Sequence, residues 1–175
     1  MNAISPIDAP TADRRWFEAT NAANAWRGRC LNTFARAEAA VSETLLAMSG
    51  VGGRGSGVKL PYLVGQKFET LAAAIGPEGP FASEGQVVAN TLAGFRTYDH
   101  LRAFLCHGDG KIALDQRGAW LLVMRLPTFG SKLPERTFYV AFQKEADELA
   151  LELGNAGKRL GQQLCKLRAD LTSKP

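Results

Sequence analysis

One apolar stripe, running from Trp16 to Met48, constrains this chain more than any other feature. Trp16, Ala19, Ala23, Trp26 and Cys30, then Phe34, Ala37, Val41, Leu45 and Met48, follow one another at three- and four-residue steps. An α-helix turns about 100° per residue, so that spacing lines one face of a helix. It predicts a helix from just after Pro10 to about Ser49, with Thr11 as N-cap and Asp13 near the positive end of the dipole. Gly28 costs roughly 1 kcal/mol relative to alanine in such an interior, which leaves room for a kink or a close helix contact. A helix much longer than the usual ~11–12 residues needs long partners to cover its stripe. Bundles provide them.

The rest of the chain supplies those partners. Gly50-Val51-Gly52-Gly53-Arg54-Gly55-Ser56-Gly57 ends the first helix and reads as a mobile connector, because a phosphate loop would need a Gly-Lys-Ser/Thr ending and a preceding strand. Pro61 suits the first turn of a second helix, whose buried face is Val64, Phe68, Leu71 and Ile75 and whose stop is Gly76-Pro77. Ser83 and Gln86 stand in capping-box spacing at the head of a third helix. That helix is expected to run through Leu92, Phe95, Tyr98, Leu101 and Leu105 to about His107-Gly108.

The period then changes from helical to alternating. Lys111 to Asp115 and Trp120 to Met124 read as strands around a Gln116-Arg117-Gly118 turn, and Thr137 to Phe142 as a third run after a Pro/Gly loop. A final helix from Lys144 to about Leu171 repeats Leu149, Leu153, Ala156, Leu160, Leu164, Leu167 and Leu171 at heptad-like steps. Its Lys158, Arg159, Lys166 and Arg168 suit either a solvated face or a basic partner-binding surface. The expected fold is mainly α: a four-helix-type bundle with a small antiparallel β-hairpin or meander before the last helix. Residues 1–10 are read as a tail and 11–175 as one domain.

Composition narrows the function classes. With 46% hydrophobic and 22% charged residues, the chain can bury a core and is not generally disordered. Lys and Arg total 21 against 17 for Asp and Glu, a net charge of +4 that is compatible with a nucleic-acid partner without requiring one. No apolar run approaches the ~18 residues of a membrane span, and Met1 to Pro10 has neither a basic nor an apolar signal-peptide region. Cys30, Cys106 and Cys165 are odd in number and far apart, so they read as small core residues in a reducing compartment. A soluble cytoplasmic protein without a membrane partner is expected.

Few residues are suited to chemistry. The two histidines, His100 and His107, lie near the end of the third helix, and no His-x-x-x-His or Cys-x-x-Cys pair accompanies them, so no metal or other cofactor is expected. Cys106 adjoins His107, but neighbours on a helix diverge by about 100°, and no nucleophile elbow surrounds the thiol. What stands out is Arg102-Ala103-Phe104-Leu105-Cys106-His107: an arginine, four residues, then a histidine, at the end of a helix and followed by Gly108, a hairpin and one long closing helix.

This segment and the order of elements around it resemble the HEPN family of small helical-bundle proteins. The family signature is Arg, four to six residues, then His. The resemblance implies a homodimer in which the sites of two subunits face each other. It also implies a metal-independent endoribonuclease, often a toxin or an antiviral or stress-defence component checked by an antitoxin-like protein. Arg102 and His107 would be its catalytic residues, with Arg96 and His100 as substrate contacts. The residue types suit the chemistry: histidine moves protons near neutral pH, and arginine offers a permanent planar cation to phosphate oxygens. Other HEPN proteins have lost catalysis and bind a nucleotide, RNA or a partner protein. A polar residue commonly follows the family's arginine, and Ala103 stands there in this chain, which favours that second reading.

Helix arithmetic leaves two geometries open. Five residues separate Arg102 from His107 by roughly 140° on a regular helix, whereas Arg96, His100, Ala103 and His107 share a narrow face. Either the helix ends before His107, with Gly108 allowing the turn, or Arg102 packs inward and pairs with a carboxylate such as Glu38. In the second geometry Arg96 is the cation beside His107.

Overall fold

The computed structural model describes residues 9–129 and 134–173. The expected tail lies largely outside these residues, as does the centre of the Pro/Gly loop after the second strand. The chain folds as helix α1 (Ala9–Ser49), a 3-10 turn (Arg54–Gly57), α2 (Val64–Ile75), α3 (Ala82–Arg96), α4 (Asp99–His107), strands β1 (Asp109–Leu114), β2 (Trp120–Phe129) and β3 (Pro134–Phe142), and α5 (Gln143–Ser173). It is mainly helical, with a three-stranded antiparallel sheet of order β1-β2-β3 before the last helix. That is the expected class, with one helix more than expected.

The α1 stripe packs as its spacing predicts. Ala19, Ala23, Trp26, Cys30, Phe34, Ala37, Val41, Leu45 and Met48 are buried, and only Trp16 at its start is exposed. Helix α1 begins at Ala9, so Thr11 lies inside it and is not its cap. In α5, Leu153, Leu160, Leu164, Leu167 and Leu171 are buried in the same manner.

The chain divides into two compact units. The first comprises residues 1–31 and 101–150, and the second 32–100 and 151–175. In the second unit Phe95 is the centre of the core. Its ring meets Phe34 edge-on at 5.6 Å, stacks on Phe68 at 6.0 Å and lies 6.4 Å from Tyr98. Gly157 of α5 packs so closely on Thr33 of α1 that a Cβ there would collide with the threonine methyl. Glu38 is bound by Lys67 at 2.7 Å, so the carboxylate that sequence reasoning offered to Arg102 already has a partner.

The Gly-rich segment, expected as a mobile connector, takes a defined shape. Arg54 lies 4.9 Å over the Phe81 ring and pairs with Glu84 at 2.9 Å. Gly55 is buried, and a Cβ there would strike the carbonyls of Met48 and Ser49. The α2–α3 connection also depends on a glycine, since a Cβ on Gly85 would meet the Ile75 side chain. The expected capping box does not form: Phe81 is the N-cap of α3 and makes no side-chain cap bond, while the Ser83 hydroxyl donates to Glu84 instead.

In the first unit the Trp26 indole donates to the Ala146 carbonyl at 2.7 Å, and its ring lies 5.9 Å from that of Trp120. The turn between β1 and β2 is built as its sequence suggests. Asp115 Oδ1 accepts from the backbone N–H of Arg117 and of Ala119, both at 2.8 Å, and Gly118 takes a φ of 84°. Pairing of Lys111 with Val123 and of Val123 with Val140 fixes the register of the whole sheet. Leu122, Met124 and Ala141 are buried on the inner face.

Candidate functional site

The site is built on α4 and the chain that leaves it. The expected single third helix breaks after Arg96. Thr97 ends α3, the Tyr98 N–H bonds the Phe95 carbonyl at 3.2 Å in a tightened last turn, and Asp99 starts a new helix. Arg96 is therefore not on one continuous helical face with His100, Ala103 and His107, which corrects the sequence-derived arrangement. Its guanidinium lies 3.6 Å from Asp99 and 4.0 Å from Glu69, so its charge is engaged by two carboxylates rather than offered to a phosphate.

Helix α4 buries Leu101, Phe104 and Leu105 and runs without interruption to His107. The helix does not end early, so the geometry in which Gly108 brings His107 round to Arg102 is not adopted. Arg102 is half-buried, His100 and His107 are exposed, and Ala103 is half-buried. On this regular helix Arg102 and His107 point roughly 140° apart, while His100 and His107, seven residues apart, share a face to within about 20°. The chain therefore brings the two histidines to one side of α4 and does not bring Arg102 to His107. Among the described residues neither Arg102 nor His107 is held in an ion pair.

A residue that sequence reasoning missed fixes the end of this helix. Arg27 of α1 donates from Nε to the Leu105 carbonyl at 2.7 Å and from a terminal nitrogen to the Gly108 carbonyl at 3.3 Å. A helix C-terminus is the negative end of its dipole and leaves its last carbonyls without partners, so a guanidinium there is doubly favourable. Gly108 donates to the Phe104 carbonyl at 2.8 Å and is buried, and a Cβ there would meet that oxygen and Met124. Its glycine serves close approach, not a left-handed turn. The sequence could not reveal Arg27, because nothing local distinguishes it from the other arginines of α1.

The thiols divide differently from expectation. Cys30 is buried, and burial pushes its pKa up to about 11 against a smaller opposing effect of Arg29. Cys106 and Cys165 are exposed and are not core residues, since both lie on the solvent side of their helices. Among the described residues no three His, Cys, Asp or Glu side chains gather where they could hold a metal ion. The second unit carries a cleft of about 730 Å³ lined by Thr33, Arg36, Gly154, Lys158 and Gln162, among others, none of them a motif residue. Among the described residues no helix is long and apolar enough to cross a membrane. No family model matches the chain, and no curated protein or solved structure matches it.

Proposed function

We propose that the chain is a HEPN-like endoribonuclease that acts without a metal ion, with His107 and Arg102 as its working pair. The observation that carries the reading is the state of these two groups. His107 stands exposed at a helix end clamped by Arg27, and neither it nor Arg102 is held in an ion pair among the described residues. In the proposed reaction the ribose 2′-hydroxyl loses a proton to a neutral imidazole and its oxygen attacks the adjacent phosphorus. The bond to the 5′ oxygen breaks, and that oxygen takes up a proton. The guanidinium neutralises charge on the pentacoordinate phosphate. Because Arg102 and His107 diverge on α4, a phosphate reaching both is held between two copies of the chain, His107 from one and Arg102 from the other. Among HEPN proteins such nucleases serve as toxins or in defence, and a restraining protein partner belongs to the same proposal.

Product analysis tests the chemistry. Cleavage of a single-stranded RNA should leave a 2′,3′-cyclic phosphate and a 5′-hydroxyl, and a 2′-deoxy substitution at the cleaved nucleotide should block it. Products with 3′-hydroxyl ends would contradict the assignment. A second reading, a non-catalytic HEPN-like module that binds RNA, a nucleotide or a protein, is favoured by Ala103, which places no polar group beside His107 on the α4 face.

A further inference from the structure

The outward face of the β-sheet is unlike an ordinary solvated surface. The register places nine residues on it in three cross-strand rows: Asp109, Arg125 and Phe138; Lys111, Val123 and Val140; Ala113, Leu121 and Phe142. Alternation puts the buried Leu122, Met124 and Ala141 on the opposite face. Strand β3 thus presents two phenylalanines to solvent, Phe138 at 60% and Phe142 at 50% exposure, with Val140 at 42% between them. On the same face stand the exposed cations Lys111 and Arg125. Asp109 pairs with Arg125 at 3.2 Å, and Lys111 has no ion-pair partner among the described residues.

We infer that this face binds single-stranded RNA, with bases stacked on Phe138 and Phe142 and the backbone phosphate held by Lys111. Flat aromatic rings spaced along a strand, with cations beside them, are the components of a sequence-tolerant stacking platform that takes two or three unpaired bases. Two exposed rings with Lys111 beside them suit a polymer that is apolar on its base faces and anionic on its backbone. The platform is also contiguous with the proposed chemistry, since β1 begins at Asp109, two residues after His107. The choice of RNA as occupant rests on the ribonuclease reading. The face itself does not.

The test measures fluorescence anisotropy of a labelled, short single-stranded oligouridylate with the full chain carrying His107→Ala, so that binding is read without cleavage. Phe138→Leu and Phe142→Leu, which keep apolar bulk but lose the ring, should each weaken binding about tenfold or more. Phe138→Tyr and Phe142→Tyr should bind as the parent does, which also separates lost stacking from lost folding. A duplex of the same length should be insensitive to all four substitutions. Three results would overturn the inference: no binding of the single strand, binding unchanged in the leucine variants, or self-association by sedimentation that the leucine variants abolish, which assigns the face to a second copy. Ring-dependent binding without any cleavage by the wild-type chain keeps this surface and removes the nuclease. Cleavage with ring-independent binding does the reverse.

Discussion

Arg27 and Leu105, seventy-eight residues apart in sequence, are joined by a 2.7 Å hydrogen bond from the guanidinium to the last turn of α4. A second bond to Gly108 lets the same side chain straddle His107, which lies between the two carbonyls in the chain. The long first helix therefore does more than bury apolar area. It also ties down the end of the motif helix.

Removing that clamp should cost stability. Arg27→Ala leaves two carbonyls at the negative end of α4 without a charged donor, and a hydrogen bond of this kind contributes about 1.5–3 kcal/mol. For a chain of this size, at about 2–4 °C per kcal/mol, the melting temperature should fall by about 3–12 °C. Arg27→Lys should recover only part, because one ammonium cannot reproduce the fork. A melting curve for Arg27→Ala that overlays the wild type would show the clamp to be incidental.

The Gly-rich segment makes a sharp contrast testable within four residues. A Cβ at Gly55 would strike the Met48 and Ser49 carbonyls, while one at Gly52 meets nothing within 4 Å. Gly55→Ala should destabilise by about 1–3 kcal/mol in chemical denaturation, and Gly52→Ala should be neutral to within about 0.5 kcal/mol. Equal tolerance at both positions would restore the mobile-connector reading.

Acid should loosen this same turn. The Ser83 hydroxyl foremost, and then the Arg54 guanidinium, hold the Glu84 carboxyl at a pKa of about 2 against an ordinary 4.5. A depressed carboxylate pKa adds stability that is fully present above pH 4.5 and is lost as pH falls toward 2. Glu84→Gln should therefore flatten the stability-against-pH curve in that window and leave its shape above it unchanged. Curves of identical shape in the acid window would mean that the Ser83 and Arg54 contacts do not hold the Glu84 carboxylate in solution.

Ala103 separates the two functional readings. It lies one turn before His107 on α4 and is half-buried. An amide there could hold the imidazole or a phosphate oxygen. Ala103→Asn should raise RNA cleavage by about one to two decades if a charge-assisted hydrogen bond is gained only in the transition state. The gain should vanish when His107→Ala is added. A folded Ala103→Asn protein with no detectable cleavage would favour the binding module.

Much of the architecture was legible because burial imposes period. The α1 stripe, the Leu153-to-Leu171 ladder of α5 and the Asp115–Gly118 turn each follow from local spacing or turn chemistry. The break at Thr97-Tyr98 was not, since Phe95, Tyr98 and Leu101 follow in three-residue steps across it and only a tightened turn and the Arg96–Asp99 pair mark the interruption. The exposure of Cys106 and Cys165 follows from position rather than residue type: each lies about 100° from its nearest stripe neighbour, Leu105 or Leu164, whereas the buried Cys30 is in line with Trp26 and Phe34. At the site, the sequence offered Arg102 and His107 but not their divergence, which depends on α4 staying regular to its last residue. The outward phenylalanines of β3 were hidden for a different reason: Thr137 to Phe142 is apolar on both faces, so alternation could not say which side meets water.

The most direct test is RNA cleavage by the purified wild-type chain in excess EDTA, beside Arg102→Ala and His107→Ala prepared identically. The proposed chemistry predicts cleavage by the wild type that EDTA does not reduce, and a loss of at least about two decades in each variant. Mixing the two inactive variants should restore part of the activity, because a mixed pair retains one intact Arg102 facing one intact His107. Cleavage that survives in both variants, or that EDTA abolishes in the wild type, would contradict the account.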